Sequence, residues 1–215
     1  MPELDFSVAD VEVERYAVSP ALRFHVVAAN RSGVAIENLA LQCQLRIEPG
    51  RRTYHEGEHE RLRDLFGDAP RWGKTLKSFL WAIVPASVPV FAESTVFDLV
   101  VPCSFDFNVA ATKYFHGLKD GEVPLTLLFS GSVFYRDSND RLQIGQIPWS
   151  NEARHRLPVR LWQEMFDRYY PDAVWLQVGR DTFEKLDLLK QQNGLPSLEH
   201  ALGHLLDGAV GRPMS

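Results

Sequence analysis

The chain has 215 residues, 45% of them hydrophobic, enough to bury a substantial core in one large domain or a domain with an appendage. Its 28 acidic side chains outnumber 23 basic ones, for a formal net charge of −5, so no broad positive field steers it toward nucleic acid or anionic lipid. No basic run with an apolar stretch behind it precedes the first strand pattern, and the expected location is the cytoplasm.

Phe6, Val8, Val11 and Val13 begin a strand reaching about Tyr16, and Ser19-Pro20 turns the chain into a second, Leu22 to Ala29, that can pair with it antiparallel. Asn30-Arg31-Ser32-Gly33 is a turn cluster, and Leu39 to Ile47 alternates strictly between apolar and polar. The three strands read as a meander opening an immunoglobulin-like sandwich. After Pro49-Gly50 the polarity changes abruptly. Leu62, Leu65 and Phe66 recur there at helical spacing before Gly67, which predicts a short helix inserted near 58–66.

Ser78 to Ala92 is the longest nearly charge-free run, too short to span a bilayer, and its Pro85 and Pro89 fit an edge strand or a crossing between sheets. It is either core or an exposed apolar patch around Trp81 and Phe91. Val96, Leu99 and Val101 form another strand closed by Pro102, and Asp106 to His116 is open between strand and helix. The 2 cysteines, Cys43 and Cys103, lie in apolar strand patterns and read as plain core residues.

Val123 to Trp149 is the hairpin around which the rest is arranged. Leu127, Phe129, Val133 and Tyr135 fall on one face of its first strand, and Asp137 to Asp140 supply turn chemistry. Arg141 to Ile147 return with Leu142 and Ile144 expected inward. Pro148-Trp149-Ser150 then leaves the hairpin, and His155 to Leu157 could add one short strand.

From Pro158 the period changes. Trp162, Met165, Phe166, Tyr169 and Tyr170 mark one helix face. Asp181-Thr182-Phe183-Glu184 has capping-box spacing for a second helix, lined by Phe183, Leu186 and Leu189 and closed by Asn193-Gly194. A third begins at Ser197, buries a stripe of Leu198, Ala201, Leu202, Leu205 and Leu206, and ends at Gly208. The expected architecture is mainly β with α: an antiparallel immunoglobulin-like β-sandwich over 1–157 with the inserted helix, a three-helix extension over 158–207 packed on it, and a disordered tail over 208–215.

No nucleophile elbow and no phosphate-cradling glycine loop occurs, and neither cysteine has an activating histidine near it in sequence. No catalytic residue and no cofactor are assigned, and the chain reads as non-enzymatic. Among its 7 histidines, His55/His59 and His200/His204 are spaced i, i+4. The second pair lies opposite the leucine stripe of its helix and faces solvent. The first has Glu58 beside it, but His-Glu-Gly-Glu-His is not His-Glu-x-x-His, so His55, Glu58 and His59 are weak candidates and no metal is assigned.

Arg51, Arg52, Tyr54, Arg71 and Trp72 flank the insertion and, with Trp81 and Phe91, form the candidate surface for a protein partner, being largely residue types enriched at binding hot spots. The same arginines could instead stack on aromatics and pair with carboxylates of Glu56 to Glu60, anchoring the insertion within the molecule.

Leu41-x-Cys-Gln-x-Arg-Ile-Glu-Pro49, Leu65-Phe-Gly67, Arg71-Trp-Gly73, Pro102-Cys-Ser104, Lys113-Tyr-Phe-His116, Val123-Pro-Leu125, Leu128-Phe-Ser-Gly131, Ile147-Pro-Trp149 and Arg180-Asp-Thr-Phe183 occur in series. In combination the chain resembles, over nearly its whole length, a bacterial family catalogued as domain of unknown function 6084. The resemblance brings no site residues. It associates the chain with nickel–iron hydrogenase gene clusters, and so implies an accessory or assembly role. The expected function is a non-enzymatic accessory protein that binds a partner polypeptide, in assembly or maturation of a redox enzyme such as a hydrogenase. The alternative is a small-molecule- or metal-binding β-sandwich with its site near His55, Glu58 and His59.

Overall fold

The computed structural model describes residues 2–104, 107–173, 176 and 178–210. Two compact units form, Met1–Asp172 and Ala173–Ser215. In the first, β1 (Leu4–Val13), β2 (Ala21–Asn30) and β5 (Ser94–Pro102) make one sheet in the order β1-β2-β5. A second sheet has the order β4-β3-β6-β7, from β3 (Ile36–Ile47), β4 (Phe79–Val88), β6 (Glu122–Arg136) and β7 (Leu142–Pro158). All neighbours are antiparallel. Phe6 of β1 stacks on Phe129 of β6 with ring centroids 4.3 Å apart, and Leu22, Phe24 and Val26 are buried with Cys43, Leu45 and Leu127 in the core between the sheets. This is the immunoglobulin-like β-sandwich expected from the alternation.

The opening meander is not one. β1 and β2 pair, but β3 belongs to the other sheet, between β4 and β6. Period-2 alternation marks β3 as a strand and says nothing about which sheet receives it. Asn30 fixes the crossing, its side-chain amide donating to Val34 O and Ala92 O, and Gly33 takes the left-handed φ of 69° there. Within β1 the register shifts between Val8 and Asp10, which is why Phe6/Val8 and Val11/Val13 alternate in different phases.

β6 and β7 form the central hairpin. Asp137 Oδ1 accepts the amides of Asn139 and Arg141 and Asp140 takes φ 60°, closing the turn. The turn pairs Arg136 with Leu142. Arg136 faces outward, so Leu142 and Ile144 are exposed (56% and 64%), and Gly145 and Ile147 take the inward positions expected for them. β7 does not end at Trp149. Gly131 pairs with Ile147 and Phe129 with Asn151, so Pro148-Trp149-Ser150 bulges from one continuous strand whose last part contains His155 to Leu157.

The inserted helix is broken into α1 (Glu56–Arg61) and α2 (Arg63–Phe66), closed by Gly67 at φ 73°, with α3 (Trp72–Thr75) after it. The open stretch before β6 is a helix, α4 (Val109–Gly117), capped by Asn108 Oδ1 accepting Ala111 N at 2.9 Å. Phe105 and Asp106 lie outside the described residues. α5 (Val159–Tyr169) belongs to the first unit, where Trp162 stacks on Phe115 of α4 at 4.1 Å.

The second unit contains α6 (Arg180–Gln192) and α7 (Leu198–Val210). Gly179, not Asp181, is the N-cap of α6, and it has no side chain to offer the first-turn amides. Leu205 and Leu206 are exposed instead of buried, and α7 runs past Gly208, whose lone glycine penalty of about 1 kcal/mol does not stop a helix. Residues 211–215 of the expected tail lie outside the described residues. No helix among the described residues is long and apolar enough to cross a membrane.

Candidate functional site

The amide of Glu48 donates to Pro124 O at 2.9 Å, fastening the single 3-10 turn Pro49–Arg51 to the start of β6. Pro124 pairs in turn with Arg156 of β7. That register brings Arg51 beside Arg156, and strand alternation puts Arg154 on the same outward side as Arg156, with His155 half-buried between them.

Two adjoining depressions result, and both are lined by Arg51 and Arg156. One, about 600 Å³, also has Arg52, His55, Asp120 and Glu122 in its wall. The other, about 710 Å³, is completed by Pro124, Leu125, Arg154 and His155 and has no carboxylate in its lining among the described residues. Burial holds the His155 imidazole below its usual pKa against the opposing pull of Asp10 and Glu122.

Arg52 is structural. Its Nη2 donates to Glu58 Oε1 (2.8 Å) and Asp120 O (3.0 Å), and its Nη1 to Glu122 O (3.3 Å). Its guanidinium carbon lies 5.2 Å from the Tyr54 ring centroid. Glu58 also accepts the amides of Lys119 (2.8 Å) and His55 (2.9 Å). Burial alone would raise the Glu58 pKa, but these amides and the Arg52 charge outweigh it and hold it below the carboxylate range. The arginine-to-carboxylate anchoring of the insertion is thus present.

Tyr54 donates to Pro49 O and shares a 2.8 Å hydrogen bond with Tyr114, and desolvation pushes its pKa up to about 12. Trp72 Nε1 donates to Gly67 O, with Tyr54, His59 and Phe66 edge-on to its ring. Trp72, Trp81 and Phe91 are 6%, 2% and 8% exposed. They are core residues and present no surface to a partner, a correction to the candidate set. For Trp81 the cause is the edge strand β4, which turns Trp81, Val84 and Val88 inward and leaves Leu80 and Ile83 outside, while Phe91 is held by its bridge to Ile36 and Trp72 by the rings around it. Arg51 and Arg71 remain exposed, Arg71 lining neither depression.

The metal-candidate set is not assembled. Glu58 is taken by Arg52, His55 Nε2 lies 3.3 Å from Asp120, and His59 packs on Trp72. No group of three His, Cys, Asp or Glu among the described residues is arranged to hold a metal ion. Exposed His200 shares a hydrogen bond with Ser197 Oγ.

Sequence reasoning missed Arg154, His155 and Arg156. The only signal was alternation in a short segment, and nothing local ties it to Arg51. It also passed over Trp149, which the β7 bulge projects 78% exposed.

Fold and cleft together define an immunoglobulin-like β-sandwich with a helical insertion and an arginine-lined cleft. The chain belongs to the DUF6084 family, described as a family of unknown function, whose model matches residues 1–213. No curated protein matches it. Among solved structures it is similar to the CARDB domain of a Pyrococcus furiosus protein (11% identity, 73% of this chain, 92% of that one, TM-score 0.29). It is also similar to a putative late embryogenesis abundant protein (17% identity, 74% and 73%, TM-score 0.32). A third likeness is to beta-glucosidase 3B from Thermotoga neapolitana (16% identity, 72% of this chain, TM-score 0.28), of which the chain spans 17% of the length. The fold assignment rests on the strand order itself.

Proposed function

We propose that the protein is a non-enzymatic, cytoplasmic accessory protein that binds a partner polypeptide, with the arginine-lined cleft as its docking point. The observation that carries this is the convergence of Arg51, Arg154 and Arg156 on one depression with no carboxylate in its wall among the described residues, in a chain of net charge −5. Arginine is enriched at binding hot spots, and its planar fork recognises carboxylates in a fixed geometry. The finer reading, assembly or maturation of a redox enzyme such as a nickel–iron hydrogenase, is supported by the family resemblance. Affinity purification of the tagged chain from its native host, followed by mass spectrometry, tests it. One stoichiometric partner is expected with the wild type and its loss with Arg51→Glu/Arg156→Glu. A partner retained by that variant, or none recovered by either, would overturn the reading.

A second reading, a small-molecule-binding sandwich, is favoured by the volumes of about 600 and 710 Å³, which lie in the range of ligand sites, roughly 300–1,000 Å³. Native mass spectrometry of the untagged protein showing a bound small molecule would support it.

A further inference from the structure

We infer that the carboxylate-free half of the cleft holds a short acidic segment of the partner with two acidic residues spaced i, i+2 in an extended conformation. This rests on the partner-binding reading and names the chemistry recognised.

Availability of the donors comes first. Arg51 has no ion-pair or hydrogen-bond partner for its side chain among the described residues, and Arg156 has only Glu122, at 4.0 Å. Arg154 pairs with Glu152 at 2.7 Å, but both groups are solvent-exposed, and such a pair contributes only about 0–1 kcal/mol. An incoming carboxylate can therefore displace Glu152 at small cost. The guanidinium supply exceeds the carboxylates at hand.

Spacing decides between ligands. Arg154 and Arg156 stand two apart on one side of β7, a separation of about 6.6–6.8 Å along a strand. Alternate residues of an extended peptide repeat at the same distance, so two carboxylates at i and i+2 meet the two guanidinium groups in register. Arg51 closes the opposite wall, and the buried Pro124 and Leu125 form the base beneath the arginines. Long polyanions are disfavoured, because the basic surface is local and the chain carries net charge −5. Within a Debye length of about 8 Å a short acidic segment senses the arginines, while a nucleic acid extends beyond them over a chain of net negative charge.

The test is fluorescence anisotropy of labelled peptides against the full chain. A Glu-x-Glu peptide is expected to bind about tenfold more tightly than its Gln-x-Gln counterpart and more tightly than one with adjacent glutamates. Arg154→Ala and Arg156→Ala, both at exposed side chains, should each weaken it, and Arg71→Ala should not. Equal affinity for the glutamine peptide, insensitivity to Arg156→Ala, or equally effective displacement by inorganic phosphate would overturn the inference. The peptide comparison needs only the wild type, so it stands even if a variant misfolds. If the Glu-x-Glu peptide fails while the host partner is still captured through Arg156, the acidic-segment inference alone falls. If neither occurs, both readings fall.

Discussion

Arg52 and Glu58 meet at 2.8 Å with side chains only 5% and 0% exposed, so the charge pair at the base of the insertion is sealed from water. Removing one partner leaves the other buried and uncompensated. Glu58→Gln should destabilise the first unit by about 3–5 kcal/mol, read as a drop in urea midpoint. An unchanged midpoint would mean the pair does not hold the insertion. Because the folded Glu58 pKa is lowered, its contribution is complete above its unfolded value, about 4.3, and disappears as pH falls through the folded one.

Gly131 and Gly117 make a matched comparison. A Cβ at Gly131 (φ 140°) would sit 2.0 Å from the backbone carbonyl of Ala40, in a conformation that L residues rarely adopt. At Gly117 the obstacle, 2.4 Å away, is the flexible Leu62 side chain. Gly131→Ala should cost about 2 kcal/mol or more, since both strain and clash act on backbone. Gly117→Ala should cost less. Thermal unfolding of the two variants gives the order, and a reversed order would refute the backbone argument.

Both thiols are buried and free, and desolvation raises the Cys43 pKa to about 12 and the Cys103 pKa as well. Thiolate is the reactive form, so neither should react with a disulfide reagent in the native protein at pH 8. Both should react at once in denaturant. Rapid native labelling at either position would show that the sandwich opens locally.

His155 sets a pH dependence of definite sign. Its folded pKa is lowered by burial, so as pH falls below the unfolded value, about 6.5, the unfolded chain takes up a proton before the native one. Stability is then lost between that value and the folded pKa, and is unaffected above it. The loss should stay below about 1 kcal/mol because the ring is partly solvated. Urea midpoints at pH 7.5 and 5.5 should converge in His155→Gln relative to the wild type, and an equal acid shift in both proteins would assign the effect elsewhere.

The sandwich was largely legible because strand periodicity and turn residues act locally: Leu39 to Ile47 and Leu127 to Tyr135 announce their faces without help from the rest of the chain. Phase across the turn was not. Leu142 and Ile144 look inward by composition, yet the pairing of Arg136 with Leu142 puts them outside. Nor could the sequence tell an arginine that reaches solvent from one that is consumed. Arg51 and Arg52 are neighbours of the same type, but the first is exposed in both depressions and the second closes on Glu58. The cleft depends on the Glu48–Pro124 and Pro124–Arg156 contacts, which join segments far apart in the chain.

The four-stranded sheet is interrupted on both of its margins. Pro85 in β4 has no amide hydrogen to donate, and the Pro148–Ser150 bulge breaks the regular pairing surface of β7. A second copy approaching either margin finds no continuous ladder to extend. Strand-to-strand extension of this sheet is thereby hindered at both margins, even though β7 exposes Leu142, Ile144 and Trp149.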